Sequence, residues 1–424
     1  MRVLLVSQEM PPETGWGGIG TYVDVLSEAL ARKGAEVRVL SAVDGQPAGR
    51  REVAGVTVHR VGLPRLRGFG GRAPETRRRV VLAASVAREV RRLRPPPDVV
   101  ECPEWMAEGL GLALTGSLPL VVRLHSSARQ LFPYTGQGGH LRGWDGRGAA
   151  RLEELSARRA NVVVSTRANL EEVAGPLRLD ERALHAIPYP VRLPPVAPPA
   201  PSGPPRITFV GRLEPRKGPE ILIRAAPKVL AAVPDARLAF VGRDAVAPGA
   251  PPSSDWLRRE AERLGVADAL ELTGHLDPAG VREQLRRATV CAFPSRWESF
   301  GNVVAEASAM GRPVVVSPIP AFHDLVRDGR TGHVAALERE DEWAAALIGL
   351  LRDRERAAAL GRAGAEHIAR ISEPGRVADL ALASYEHAVR RWRAGQRAGA
   401  RRRAGQRAGA RRRAGQRAGA RSGR

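Results

Sequence analysis

The chain is predicted to fold as two doubly wound α/β domains facing a cleft, each a parallel sheet between layers of helices. Three observations lead there. Short apolar runs alternate with helical stretches twice over, at 2–7, 37–42, 98–101, 119–124 and 161–165, then at 206–210, 237–241, 269–273, 289–293 and 313–317. Strands separated by helices pair in parallel and are covered on both faces. Between the two series lies LPPVAPPAPSGPP, residues 193–205, which can sustain neither a helix interior nor a central strand. A length of 424 residues is enough for two such cores.

In chain order, the apolar run Val3–Val6 of MRVLLVSQEM reads as a buried first strand, being too short for a secretory signal. A helix is expected over Thr21–Arg32 and another over Ala149–Arg159. The first domain is taken as 1–192, the connector as 193–205 and the second domain as 206–373. A helix over 374–392 is expected to pack back on the body, followed by a disordered tail at 393–424. No run of eighteen apolar residues occurs, so no membrane span is expected. Two cysteines, Cys102 and Cys291, make no disulfide framework, which points to a reducing cytoplasm.

The net charge of +22 resembles a nucleic-acid footprint until it is located. From Arg393 the chain repeats RAGQRAGARR with a period of ten, holding twelve arginines and no acid, more than half of the excess. With no hydrophobic face to bury, this tail is expected to be disordered or weakly helical. Two readings stand: a polybasic anchor for anionic lipid or nucleic acid, or an expanded repeat without a task. The body before it carries no aromatic platform or nucleic-acid reader motif.

In doubly wound sheets, ligands sit at the carboxyl ends of the strands. GGIG (Gly17–Gly20), HSS after the strand 119–124, GRLEPRKG after 206–210 and PSRWESFGN after 289–293 all lie there. In PSRWESFGNVVAEASAMGRPVVVS a helix is expected to start around Gly301 and Asn302 and run to Ala309. Its free N–H groups would suit an anionic oxygen. Glu298 lies in the loop before it, and Glu306, one turn inside, leans back toward the N-terminus. Both carboxylates would accept hydrogen bonds from ligand hydroxyls; alternatively Glu306 complements the helix dipole and Glu298 is solvated. Arg212 and Lys217 would supply positive charge. Only three of the 67 basic residues are lysines, so a lysine in this loop favours a need for a compact ammonium. His125, at a strand end, is either structural or a sugar contact.

These segments carry a resemblance. PSRWESFGNVVAEASAMGRPVVVS, with Glu298 and Glu306 spaced E-x7-E, resembles the signature of retaining glycosyltransferases of the GT-B fold, glycosyltransferase family 4. FVGRLEPRKG resembles the family's diphosphate-binding segment, and TGWGGIGTYVDVLSEALARKGAEVRVL its first loop and helix. The resemblance covers roughly residues 1–390. It implies that Arg212 and Lys217 bind the donor diphosphate, Glu306 the ribose hydroxyls, and Glu298 the hydroxyls of the transferred sugar. Backbone N–H groups at Phe300, Gly301 and Asn302 would face sugar and phosphate, and His125 would contact the sugar. Gly17 and Gly18 would approach the diphosphate from the other domain, and the backbone at His275 and Leu276 would lie near the base. GRDAVAPGAPPSSD departs from the short glycine-rich turn of many relatives, and SSARQLFPYTGQGGHLRGWDGRG is the expected acceptor surface.

The expected function is therefore transfer of a hexose from a nucleoside diphosphate-sugar to an acceptor hydroxyl, with retention, in cell-surface glycan or glycolipid synthesis. No D-x-D motif occurs, so no metal or other cofactor is expected and protein cations would meet the leaving-group charge. The protein is expected to be cytoplasmic, with the tail a possible contact to the inner membrane face. A nucleotide-sugar epimerase, a non-catalytic carbohydrate-binding protein and, from the tail, a nucleic-acid-binding protein are the alternatives.

Overall fold

Along β1 (Arg2–Val6) successive apolar side chains enter opposite cores, Val3 and Leu5 one, Leu4 and Val6 the other. A strand with both faces buried needs no polar alternation. The computed structural model describes residues 1–12, 17–43, 48–62, 73–131, 133–134, 143–195, 201–244 and 253–421. The first sheet adds β2 (Glu36–Val43), β3 (Gly49–Val53), β4 (Val56–Gly62), β5 (Val99–Pro103), β6 (Leu120–Arg123), β7 (Val162–Ser165) and β8 (Leu184–Ala186). Their spatial order is β3-β4-β2-β1-β5-β6-β7-β8. The second sheet holds β9 (Arg206–Val210), β10 (Arg237–Val241), β11 (Leu270–Gly274), β12 (Val290–Phe293), β13 (Val314–Val316) and β14 (His333–Val334), in the order β11-β10-β9-β12-β13-β14. These are the two parallel-sheet domains expected.

All strand pairs described are parallel except β3 with β4. That hairpin escaped the sequence reading because its turn is Ala54–Gly55, a weak signal. Both residues have positive φ, 49° and 78°, as a two-residue turn between twisted strands requires. Arginines and Glu52 on β3 leave this sheet edge charged, which discourages pairing with another chain. The helix expected from Thr21 begins at Gly18, and the one expected from Ala149 begins at Trp144. The helix Pro74–Arg92 was not foreseen.

The C-terminal helix follows the second domain in sequence but buries Val377, Ala378, Ala381, Tyr385 and Ala388 against the first, packing on the helix Gly18–Arg32. Glu101, buried on β5, holds it there: it accepts hydrogen bonds from Tyr22 at 2.7 Å and Tyr385 at 2.9 Å. Further along, Trp392 and Gln396 both donate to the Gly116 carbonyl. The expected break at 393 is absent. Where a disordered or weakly helical tail was expected, one helix runs over Pro374–Arg421. Alanine, arginine and glutamine are strong helix formers, and they carry the segment through its glycines once the packed half has supplied a nucleus. Among the described residues, no helix is long and apolar enough to cross a membrane.

Tyr385→Phe removes one of the two hydroxyls that satisfy Glu101. It should lower the unfolding free energy by about 1–3 kcal/mol, read as a lower midpoint in urea. A midpoint equal to that of the unaltered protein would show that apolar packing alone docks the helix.

Candidate functional site

The tetrapeptide FVGR occurs twice, at 209–212 and 240–243, and the fold lays the copies side by side. Phe209 pairs with Phe240 and Val210 with Val241 in register, so Arg212 and Arg243 emerge together at the carboxyl ends of β9 and β10. Gly242 has φ 151°, and a Cβ there would stand 1.9 Å from the Gly211 carbonyl oxygen. Glycine is therefore required for the two strand ends to meet. Arg212 is half-exposed, with Glu214 at 3.4 Å. Arg243 was missed by the sequence reading, although the repeated FVGR was a signal for it.

Lys217 ends a single 3₁₀ turn, Pro215–Lys217, and Gly218 after it takes φ 67°. A Cβ at Gly218 would lie 2.2 Å from the Pro294 carbonyl, so this loop sits directly on the start of the 294–301 segment. Lys217 there bonds the Glu298 carboxylate. Ser295 also donates to Glu298 at 3.0 Å, and Arg216 lies 3.4 Å away. Burial pushes the Glu298 carboxyl upward, but the adjacent Lys217 and Arg216 outweigh it and hold it below the ordinary range. Burial lowers Lys217, opposed mainly by Glu298. Two residues predicted to meet different parts of one ligand thus satisfy each other. Arg216, itself buried between Glu214 at 2.6 Å and the Trp297 carbonyl at 3.0 Å, ties together the two loops that carry them.

The helix Asn302–Ala309 begins after Gly301, whose φ is 98° and where a Cβ would stand 2.6 Å from the Phe322 ring, leaving no room for a side chain. No side chain caps it. Among the described residues, its first backbone bond runs from Ala305 to Gly301, so the N–H groups of Phe300, Gly301 and Asn302 have no protein acceptor. Asn302 donates to the Gly18 carbonyl at 3.3 Å, which brings the first domain's glycine loop to this helix end. Glu306 is half-buried on the same helix. Desolvation raises its carboxyl to about 7, with Arg282 opposing.

On the first domain, Gly17 precedes the helix Gly18–Arg32. Glu9, not singled out by the sequence reading, accepts the Gly20 N–H at 2.9 Å, and a Cβ at Gly17 would fall 2.3 Å from its carboxylate. Burial raises the Glu9 carboxyl, while the Gly20 N–H and the charges of Arg212 and Arg243 draw it down. An acid of one domain therefore faces two arginines of the other. His125 follows β6 and is buried. Its backbone N–H bonds both oxygens of Glu104, and its Nδ1 bonds Tyr189. His275 and Leu276 follow β11, His275 exposed and Leu276 half-buried, where Asp277 caps the next helix through Gly280 N–H at 2.7 Å. Much of the expected acceptor loop (132, 135–142) and of the base-side segment (245–252) lies outside the described residues.

The sign of the Glu306 effect is testable. A carboxyl raised in the folded state loses stability as pH climbs from its unfolded value toward about 7, because the folded protein holds the proton longer. Glu306→Gln has no such loss. Its stability relative to the unaltered protein should therefore rise between about pH 4.5 and 7 and level off above, in urea titrations at several pH values. A pH-independent difference would mean that Glu306 titrates normally.

Comparison with known proteins follows the same division. A family described as Glycosyl transferase 4-like domain matches residues 17–190, and one described as Glycosyl transferases group 1 matches residues 204–353. The D-inositol 3-phosphate glycosyltransferase of Segniliparus rotundus is 40% identical over 184 residues, covering 43% of this chain and 40% of that protein. In that match the chain spans about two-fifths of the relative's length. Sucrose-phosphate synthase from Thermosynechococcus elongatus superposes with a TM-score of 0.75 at 22% identity, covering 91% of this chain and 98% of its own. Anabaena HepE, in complex with UDP and glucose, gives 0.67 at 16%, covering 91% and 99%. At such identities the structural likeness speaks for the GT-B fold alone. The two family matches occupy the two walls of the cleft, and the chain belongs to the group 1, family 4-like glycosyltransferases.

Proposed function

We propose that the protein transfers a hexose from a nucleoside diphosphate-sugar to an acceptor hydroxyl with retention of anomeric configuration. The observation that carries this reading is the uncapped N-terminus of Asn302–Ala309, preceded by the loop whose Glu298 bonds Lys217 and joined to Gly18 of the opposite domain. Unpaired N–H groups with adjacent cations suit a diphosphate. As the glycosidic bond breaks, charge grows on the leaving oxygens, and Arg212, Lys217 and the N–H groups of Phe300, Gly301 and Asn302 stabilise it without rearranging. Gly17 and Gly18 let the first domain's backbone approach the same phosphates. Glu306 accepts from the ribose hydroxyls, the backbone at His275 and Leu276 borders the base, and His125 contacts the sugar.

Glu298 already accepts hydrogen bonds from Lys217 and Ser295. That engagement suits an acceptor for sugar hydroxyls better than a free nucleophile, and retention is then front-face attack by the acceptor. Lys217 shares its charge between Glu298 and the donor, so binding the diphosphate loosens the hold on Glu298 just where the sugar arrives. The family's chemistry is consistent with a role in cell-surface glycan or glycolipid assembly at the cytoplasmic membrane face.

Lys217→Ala should lower kcat on the order of 10² to 10³ while weakening donor binding less, and Lys217→Arg should rescue only in part. Transfer by the unaltered protein should persist in EDTA. Loss of activity in EDTA with restoration by magnesium or manganese would overturn the metal-free reading. Sugar isomerisation without acceptor, or donor binding without turnover, would replace transfer by an epimerase or a binding protein.

The arginine-rich end of the C-terminal helix is read as a contact for anionic lipid. Ending the chain after Arg397 keeps every cleft residue and the bonds to Gly116. Donor affinity should be unchanged, and binding to phosphatidylserine vesicles should fall steeply at low salt, each arginine near the surface contributing about 1 kcal/mol. Equal vesicle binding by both proteins removes the contact.

A further inference from the structure

His125 is held by a residue that neither its motif nor its strand supplies. Tyr189 lies on the crossing segment after β8, buried to 3% exposure, and its hydroxyl bonds Nδ1 of His125. Three further contacts fix its ring. It stacks on Phe300 of the second domain at 4.8 Å and 17°, meets Tyr22 at 5.0 Å, and lies beneath the Arg123 guanidinium at 4.7 Å. His125 is itself packed edge-on by Tyr22 at 5.1 Å. A buried imidazole beside a buried guanidinium stays neutral, so only one of its nitrogens carries a proton.

The hydrogen-bond inventory bears on which nitrogen does so. If Nδ1 held the proton and donated it to the phenol, the phenol would need an acceptor for its own. Glu104, the nearby carboxylate, already accepts the His125 backbone N–H, and the Ser299 hydroxyl beside the phenol can give or accept a hydrogen bond. If instead the phenol donates to Nδ1, both buried groups are satisfied by one bond. The imidazole proton then sits on Nε2, the ring's polar atom that no described residue engages.

We propose that Tyr189 is a positioning residue: its phenol proton holds His125 in the Nε2–H form, so that the ring presents a hydrogen-bond donor to an oxygen of the bound sugar. This rests on the reading of His125 as a sugar contact. Because the same phenol ring lies on Phe300, the donor is also set at a fixed place relative to the 300–302 backbone N–H groups, on the opposite domain. An oxygen held between the two would meet donors from both sides.

The tautomer can be read directly in the full chain labelled with ¹⁵N-histidine, with His125→Asn assigning the signal. The unaltered protein should show the Nε2–H form between pH 6 and 8. Tyr189→Phe keeps the stack on Phe300 but has no proton to give. It should lose the single tautomer and lower kcat about tenfold, the worth of one such bond, with donor KM changed by less than about threefold. A merely structural role would lower the melting temperature and leave tautomer and kcat unmoved. The proposal is overturned by an Nδ1–H signal in the unaltered protein, whatever the stability of the variant. It is overturned equally by a Tyr189→Phe protein with the same tautomer, or with a lost tautomer and undiminished kcat. Wild-type transfer by His125→Ala, by contrast, sinks the sugar-contact reading itself.

Discussion

A buried carboxylate decides how the two halves of this protein meet. Glu101 sits in the middle of the first sheet and draws in one hydroxyl from the helix Gly18–Arg32 and one from the C-terminal helix. A charge-bearing group with water excluded demands hydrogen bonds, and few directions supply them. The C-terminal helix, covalently the end of the second domain, is thereby fastened to the first. The chain crosses between domains twice, at the proline-rich connector and at this helix. The second crossing confines the rotation that the first would permit.

Within the cleft, positive and negative groups are placed so that each is partly satisfied before any ligand binds. Lys217 and Arg216 flank Glu298, and Arg212 and Arg243 stand toward Glu9. A cluster of bare cations at the strand ends would repel itself and loosen the loops. Pairing with acids keeps the cations charged and in position at the cost of sharing them. A doubly charged ligand can compete for those cations because it brings more negative charge than any single carboxylate. The helix N-terminus at 301–302 differs, since among the described residues its N–H groups face no protein acceptor.

The aromatic cluster of Tyr22, His125, Tyr189 and Phe300 joins these two themes. It is apolar in bulk, belongs to a core shared by both domains, and still holds Arg123 against its rings. Polar edges inside such a cluster have few alternative partners, which is why one phenol can set the state of one imidazole.

By itself the sequence determined ten of the fourteen strands described and their parallel pairing, because unbroken apolar runs such as Val3–Val6 must be covered on both faces, whereas the short edge strands β8 and β14 carry no such run. It also determined the positions of Gly17, Arg212, Lys217, Glu298 and Glu306 relative to strand ends, since these depend on neighbours a few residues away. The hairpin at 49–62 was hidden by an Ala-Gly turn, and the continuous helix at the C-terminus by a composition that favours helix and disorder alike. Glu9 and Tyr189 were beyond reach, and Arg243 was no more than hinted at by the repeated FVGR, for one reason. Arg243 stands beside Arg212 only through the register of β9 with β10, Glu9 reaches Gly17 and Gly20 only because the loop folds back, and Tyr189 is 64 residues from His125. Local preferences specify what each segment becomes. Contacts between distant segments, made by packing two sheets around shared cores, decide which side chains complete the site.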